Sequence, residues 1–166
     1  MAATWPVGGE GGWDYISVDH MRRARLRLAR HPGGGALDLA SGREVGYHPR
    51  RGGRARHLWR WRKGRGHVSC GKTNTVVEFD PQTLAVTATV PAGTKPDALL
   101  YDEFSKRVFV FNNGATTAAV LGAATGQPVG TAELGGAPEA GVSDGKGTVF
   151  ANLEDKTKSW PSTLKR

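Results

Sequence analysis

The sequence predicts an all-β chain: an incomplete β-propeller of about four blades, each a four-stranded antiparallel sheet. Three observations carry this. The first is a repeat of 42 residues: Asp38-Leu39-Ala40-Ser41-Gly42 recurs as Asp80-Pro81-Gln82-Thr83-Leu84 and again as Gly122-Ala123-Ala124-Thr125-Gly126. At the same step Lys95-Pro96-Asp97 recurs as Ala137-Pro138-Glu139, and Asp102 as Asp144. A period of about 40–45 residues with four short strands per unit is the signature of propeller blades. The second observation is a series of short apolar or β-branched runs closed by Gly, Asn, Asp and Pro, the pattern of strands and turns. The third is that helical spacing of apolar residues is confined to 21–30, the one candidate helix.

The unit 91–134 shows the order most plainly. Asp97-Ala98-Leu99-Leu100-Tyr101 reads as an inner strand, apolar on both faces because a blade is packed on both sides. Asp102-Glu103-Phe104-Ser105 is a turn, and Val108-Phe109-Val110-Phe111 is the second strand, ended by Asn112-Asn113-Gly114. Ala118-Ala119-Val120-Leu121 is the third, and 129–134 is the outer strand, more polar as an edge should be. The preceding unit repeats this with strands at 75–79 and 85–90. The blades are placed at about 1–46, 47–90, 91–134 and 135–166, with 47–63 and 157–166 expected to be doubtful or disordered.

Composition narrows the function classes. The 166 residues carry a net charge of +8 and a single cysteine, Cys70, which excludes an internal disulfide framework and a multi-cysteine zinc site. The sequence has no apolar run of the length that spans a membrane as a helix. Its first residues lack the basic and apolar regions of a signal peptide. The charge is concentrated: residues 21–65 hold 14 of the 23 Lys and Arg but two of the 15 Asp and Glu. A basic window of this kind points to nucleic acid or an anionic surface.

The chain resembles the YVTN-type (YncE-like) β-propeller repeat family over some 120 residues. The residues that carry the resemblance are Gly11 to Asp19, Asp38 to Gly46, Lys95 to Asp102, and Asp144-Gly145-Lys146-Gly147 through Asn152-Leu153-Glu154-Asp155. Phe109-Val110-Phe111-Asn112 stands where the family has its Tyr-Val-Thr-Asn motif. The resemblance implies a closed ring of about seven blades, within the usual range of propellers. It also implies a protein exported to the periplasm or secreted, of which this chain is a fragment that other blades complete.

The repeat text breaks at about 30–36, 47–61 and 157–166, and two of these breaks are rich in Arg, Trp or Gly. A shift of reading frame accounts for them. Within 157–166, shifted codons permit Lys-Ile-Val-Ala-Ile-Asp-Val-Lys, a strand and its Asp turn. Within 47–57 they permit Thr-Ile-Pro-Asp-Ala-Ala-Gly-Val-His-Gly-Ile, a connection between blades. The alternative is a divergent basic insert.

Candidate sites follow from these patterns. Asp14, Asp97 and Glu139 share one repeat position at the start of successive inner strands, the mouth of a propeller channel. Together they could hold a divalent cation or a cationic ligand; alternatively they cap turn N–H groups. Arg54, Arg56, Trp59, Arg60, Trp61 and Arg62 interleave cations with aromatics, as a single-stranded nucleic-acid surface does. Gly66-His67-Val68-Ser69-Cys70-Gly71-Lys72-Thr73 matches a phosphate-binding loop by letter. Its flanks lack the strand before and the helix after that such a loop needs, so it reads as strand, turn, strand. The five histidines show no metal-ligand spacing, and no catalytic triad can be argued. The expected function is therefore a non-catalytic binding or interaction scaffold without a cofactor. Nucleic-acid binding through 50–65 is the alternative, and an enzyme at the channel mouth a remote one, since fold alone does not settle function.

Overall fold

The computed structural model describes residues 4–5, 16–19, 25–28, 34–48, 57–60, 65–156 and 160–162. Strands β1 (Ile16–Asp19), β2 (Arg25–Leu28), β3 (Gly34–Asp38) and β4 (Glu44–His48) form the first sheet. β5 (His57–Arg60), β6 (Arg65–Cys70), β7 (Thr75–Phe79) and β8 (Val86–Pro91) form the second. β9 (Pro96–Asp102), β10 (Arg107–Asn112), β11 (Thr117–Gly122) and β12 (Pro128–Glu133) form the third. β13 (Pro138–Ser143), β14 (Val149–Leu153) and β15 (Trp160–Ser162) form the last.

Each sheet is an antiparallel meander in chain order. The first strands β1, β5, β9 and β13 pack side by side, so the four sheets are blades with their first strands innermost. No helix forms among the described residues. The candidate helix at 21–30 is corrected: β2 lies there, because Arg25-Leu26-Arg27-Leu28 alternates with the period of a strand. β5 lies inside the basic window and β15 inside the C-terminal break; the other residues of 49–64 and 157–159 fall outside the described residues. The segment matching a phosphate loop is β6, a turn and β7, as the repeat requires.

The 42-residue step is visible as geometry. The Asp38 carboxylate accepts the Ser41 N–H at 2.8 Å, and Asp80 accepts the Gln82 and Thr83 N–H groups at 2.7 and 2.9 Å. These turns end with Gly42, Leu84 and Gly126, all with positive φ. A bulge between third and outer strands also recurs, at Ala36/Leu37, Glu78/Phe79 and Val120/Leu121.

Packing between blades follows from alternation. Val108 and Val110 of β10 face the second blade, where they meet Val76, Val90 and Ala92. Phe109 and Phe111, one residue out of phase, face the fourth blade and pack with Val149, Ala151 and Leu153. Phe111 lies over Gly141 and occupies the space that any side chain there would need.

Candidate functional site

The joint between the second and third blades is built differently. Cross-strand register places His67 of β6 opposite Glu78 of β7, and Phe109 of β10 opposite Val120 of β11. One repeat step separates the two pairs, so His67 and Glu78 stand where the next blade uses apolar side chains. Both are fully buried. His67 Nε2 is 3.4 Å from Glu78 Oε1, and the Arg65 guanidinium donates to Glu78 Oε2. Gly126, in the β11–β12 turn of the third blade, closes over the Glu78 carboxylate. Its φ of 74° and the closeness of that carboxylate leave room for glycine alone. Ser69, two residues along the same face, donates its hydroxyl to the Asp97 carbonyl on β9. Burial pushes the Glu78 carboxyl up, but His67 and then Arg65 outweigh it and hold the group below its ordinary range.

A second polar joint links the third and fourth blades. Asp102 is buried at the end of β9 and accepts Ser105 N–H at 2.8 Å and the Ser143 hydroxyl at 2.5 Å. Burial pushes this carboxyl up as well, and the bonds from Ser105, Ser143 and Phe104 bring it below the ordinary value. A lowered carboxyl pKa stabilises the fold at pH above the unfolded value, and that contribution is lost as pH falls through the folded value. Stability is therefore expected to fall on acidification below about pH 4, and Asp102→Asn to shrink that fall in urea melts at stepped pH. An unchanged acid limb would show that Asp102 is not coupled to folding. Beside Asp102 lies a cleft of ≈ 170 Å³ lined by Phe104, Ser105, Arg107, Phe109, Gly147 and Val149.

Asp97 and Glu139 hold the second position of β9 and β13, adjacent inner strands, and both are half-buried. Asp14 lies outside the described residues, as do Arg54, Arg56, Trp61 and Arg62. Trp59 and Arg60 are in β5. Among the described residues no three His, Cys, Asp or Glu side chains gather closely enough to hold a metal ion. Cys70 is buried in β6. The cluster of His67, Glu78 and Arg65 was not anticipated from the sequence. Its signal is the 42-residue step itself, which aligns a histidine and a glutamate with Phe109 and Val120.

No family profile matches the sequence, and no curated protein matches it. Solved structures do match in fold. One is a chain of Kuenenia stuttgartiensis hydrazine synthase, with a TM-score of 0.71 and 14% identity, covering 78% of this chain and 39% of that one. A chain of the mitotic checkpoint complex gives 0.73 and 16%, covering 85% and 44%. A protein of unknown function from Desulfotomaculum acetoxidans gives 0.76 and 13%, covering 95% and 56%. The first two are β-propeller-like. The chain thus spans about two fifths to just over half of the structures it is similar to, and its fold is an incomplete β-propeller. No helix among the described residues is long and apolar enough to cross a membrane.

Proposed function

We propose that the chain is a non-catalytic binding and interaction scaffold, part of a larger exported repeat protein of the YVTN kind whose other blades complete the ring. The observation that supports this is the use made of polar side chains. Ser69 bonds to the Asp97 carbonyl and Ser143 to Asp102 across blade boundaries, and Arg65, His67 and Glu78 lie against one another within the second blade where it meets the third, so the reactive groups brought together here serve packing and joints. In this reading the windows 30–36, 47–61 and 157–166 are shifted-frame text, which the coding DNA decides. The ligand end of the scaffold is the channel mouth. Asp14, Asp97 and Glu139 there take a divalent cation, and weakly, because carboxylates on an open arc are poorly preorganised. Calorimetry with Ca²⁺ and Mn²⁺ tests it: weak heats abolished by Asp97→Asn with Glu139→Gln are expected. Binding unchanged in that variant would reduce these acids to turn caps. Anisotropy with a labelled single-stranded oligonucleotide tests the reading through Arg54, Arg56, Trp59, Arg60, Trp61 and Arg62. Tight binding that weakens steeply with salt and is lost on deleting 47–63 would replace the scaffold by a nucleic-acid binder.

A further inference from the structure

We propose that the cleft between the third and fourth blades binds a small aromatic carboxylate, with Arg107 holding the carboxylate and Phe104 the ring. The site goes beyond the cation reading: it lies at the end of β9, whereas Asp97 and Glu139 stand where the inner strands begin. Arg65 opens β6 and Arg107 opens β10, one 42-residue step apart. Each is in phase with the residues that face the next blade, His67 and Ser69 in one, Phe109 and Phe111 in the other. In the second blade the arginine has an internal acceptor, the Glu78 carboxylate. In the third blade the residue at that step is Val120, which is buried and apolar. The arginine remains and its acceptor is gone. Asp102 does not replace it, although it stands directly across from Arg107 in the β9–β10 register. Cross-strand neighbours of opposite charge ordinarily attract. Here the Asp102 oxygens take the Phe104 and Ser105 N–H groups at 3.4 and 2.8 Å and the Ser143 hydroxyl at 2.5 Å. Arg107 is exposed and has no carboxylate within ion-pair distance among the described residues.

The surroundings of this cation define the rest of the ligand. Phe104, 51% exposed, lies beside Gly147, where an added Cβ would come within 3.1 Å of its ring. Phe109 and Val149 give the cleft a buried apolar lining, and Ser105 adds a polar group. Mostly apolar walls with a few placed polar groups are the usual make-up of a small-molecule site. The volume is ≈ 170 Å³, and an apolar cavity of about 150 Å³ holds benzene. One such ring therefore fits, with its carboxylate at the mouth. A guanidinium takes a carboxylate through two parallel N–H bonds, which supplies at this joint the acceptor that Glu78 supplies at the previous one. A ring beside Phe104 gains the edge-to-face or offset contact that aromatic pairs prefer. Both walls lie within the described residues, in the β9–β10 and β13–β14 turns next to the innermost strands and in the strands that follow them. A further blade would pack on the other face of the fourth, that of Val142 and Phe150, and would leave this cleft as it is.

Saturation-transfer NMR and calorimetry on the full chain with benzoate test this. The expected result is weak, saturable binding. Benzamide keeps the ring and drops the charge; acetate keeps the charge and drops the ring. Each should bind about tenfold more weakly or worse, the scale of a hydrogen bond to a charged group. That ligand series uses the unaltered chain and does not depend on any variant folding. Arg107→Gln and Phe104→Ala change exposed side chains and should each weaken benzoate by a similar factor. Arg107→Lys should fall between, since an ammonium keeps the charge without the planar fork. Asp97→Asn with Glu139→Gln should leave benzoate binding unchanged, which separates this site from the cation reading. The absence of saturable benzoate binding overturns the proposal. So does equal binding of benzamide or acetate, or benzoate binding indifferent to both Arg107→Gln and Phe104→Ala, which would assign it to the basic window 21–65.

Discussion

Glu78→Ala is expected to destabilise the chain by about 3–5 kcal/mol, the cost of removing one partner from a buried ionic cluster. The substitution leaves His67 fully buried and the Arg65 guanidinium without its acceptor, with the Gly126 turn still closed above them. The informative companion is the double change His67→Phe with Glu78→Val, which installs the residues the third blade uses at the same repeat positions. Replacing a buried ion pair by well-packed apolar side chains is often neutral or stabilising by about 1–4 kcal/mol. Arg65 is partly exposed and can turn to water. The double variant should therefore match or exceed the parent in urea unfolding at neutral pH. It should also resist acid better: the depressed Glu78 carboxyl stabilises the parent only above its unfolded value of 4.5, and that contribution vanishes as pH falls through the lower folded value. A Glu78→Ala loss below about 1 kcal/mol, the scale of an ordinary hydrogen bond, would show that the cluster does not hold the joint.

Phe111→Ala is expected to cost about 3–5 kcal/mol, the range for emptying a fully buried aromatic site. Phe111 is buried between the third and fourth blades, and its ring fills the space over Gly141. Gly141→Leu, which copies Leu99 from the same position one repeat earlier, should also destabilise, because its side chain meets the ring and the Phe150 carbonyl. Combining the two should cost less than the separate losses added together, because the leucine moves into the cavity that the missing ring leaves. Unfolding of the two single variants and the pair closes a double-mutant cycle. Strict additivity would place the two residues in separate environments and contradict the packing.

Much of the blade order could be read from residues because it rests on local chemistry. The Asp38 and Asp80 carboxylates accept backbone N–H groups two or three residues on, a local turn chemistry, and those turns recur at a fixed step. Val108 to Phe111 alternates between two buried faces, which a strand buried on one side would not do. The stretch 21–30 misled because a basic run with leucines at every second residue is too short to separate a helix from a strand by spacing. The polar joint escaped for another reason. His67, Glu78 and Arg65 are respectable surface residues by composition, and the Glu78 carboxylate is covered by Gly126, almost fifty residues later. Only the comparison of one blade with the next reveals that a histidine and a glutamate have taken the place of Phe109 and Val120. Asp97 and Glu139 were legible as equivalents, since the repeat places both at the second position of an inner strand. What they bind is not a matter of spacing.

The bulges at Ala36/Leu37, Glu78/Phe79 and Val120/Leu121 bear on how such a chain tolerates change. Each inserts an extra residue where the outer strand joins its sheet, turning that strand so that its buried residues reach the core and its free edge twists away from other sheets. In the third blade the outer strand depends on this to bury Ala132 and Leu134 while Val129 stays in water. Losing or gaining one residue in such a strand would exchange inside for outside along its whole length. Substitutions at the same places would be absorbed one by one. Within this chain the letters differ from blade to blade while the step stays close to 42 residues.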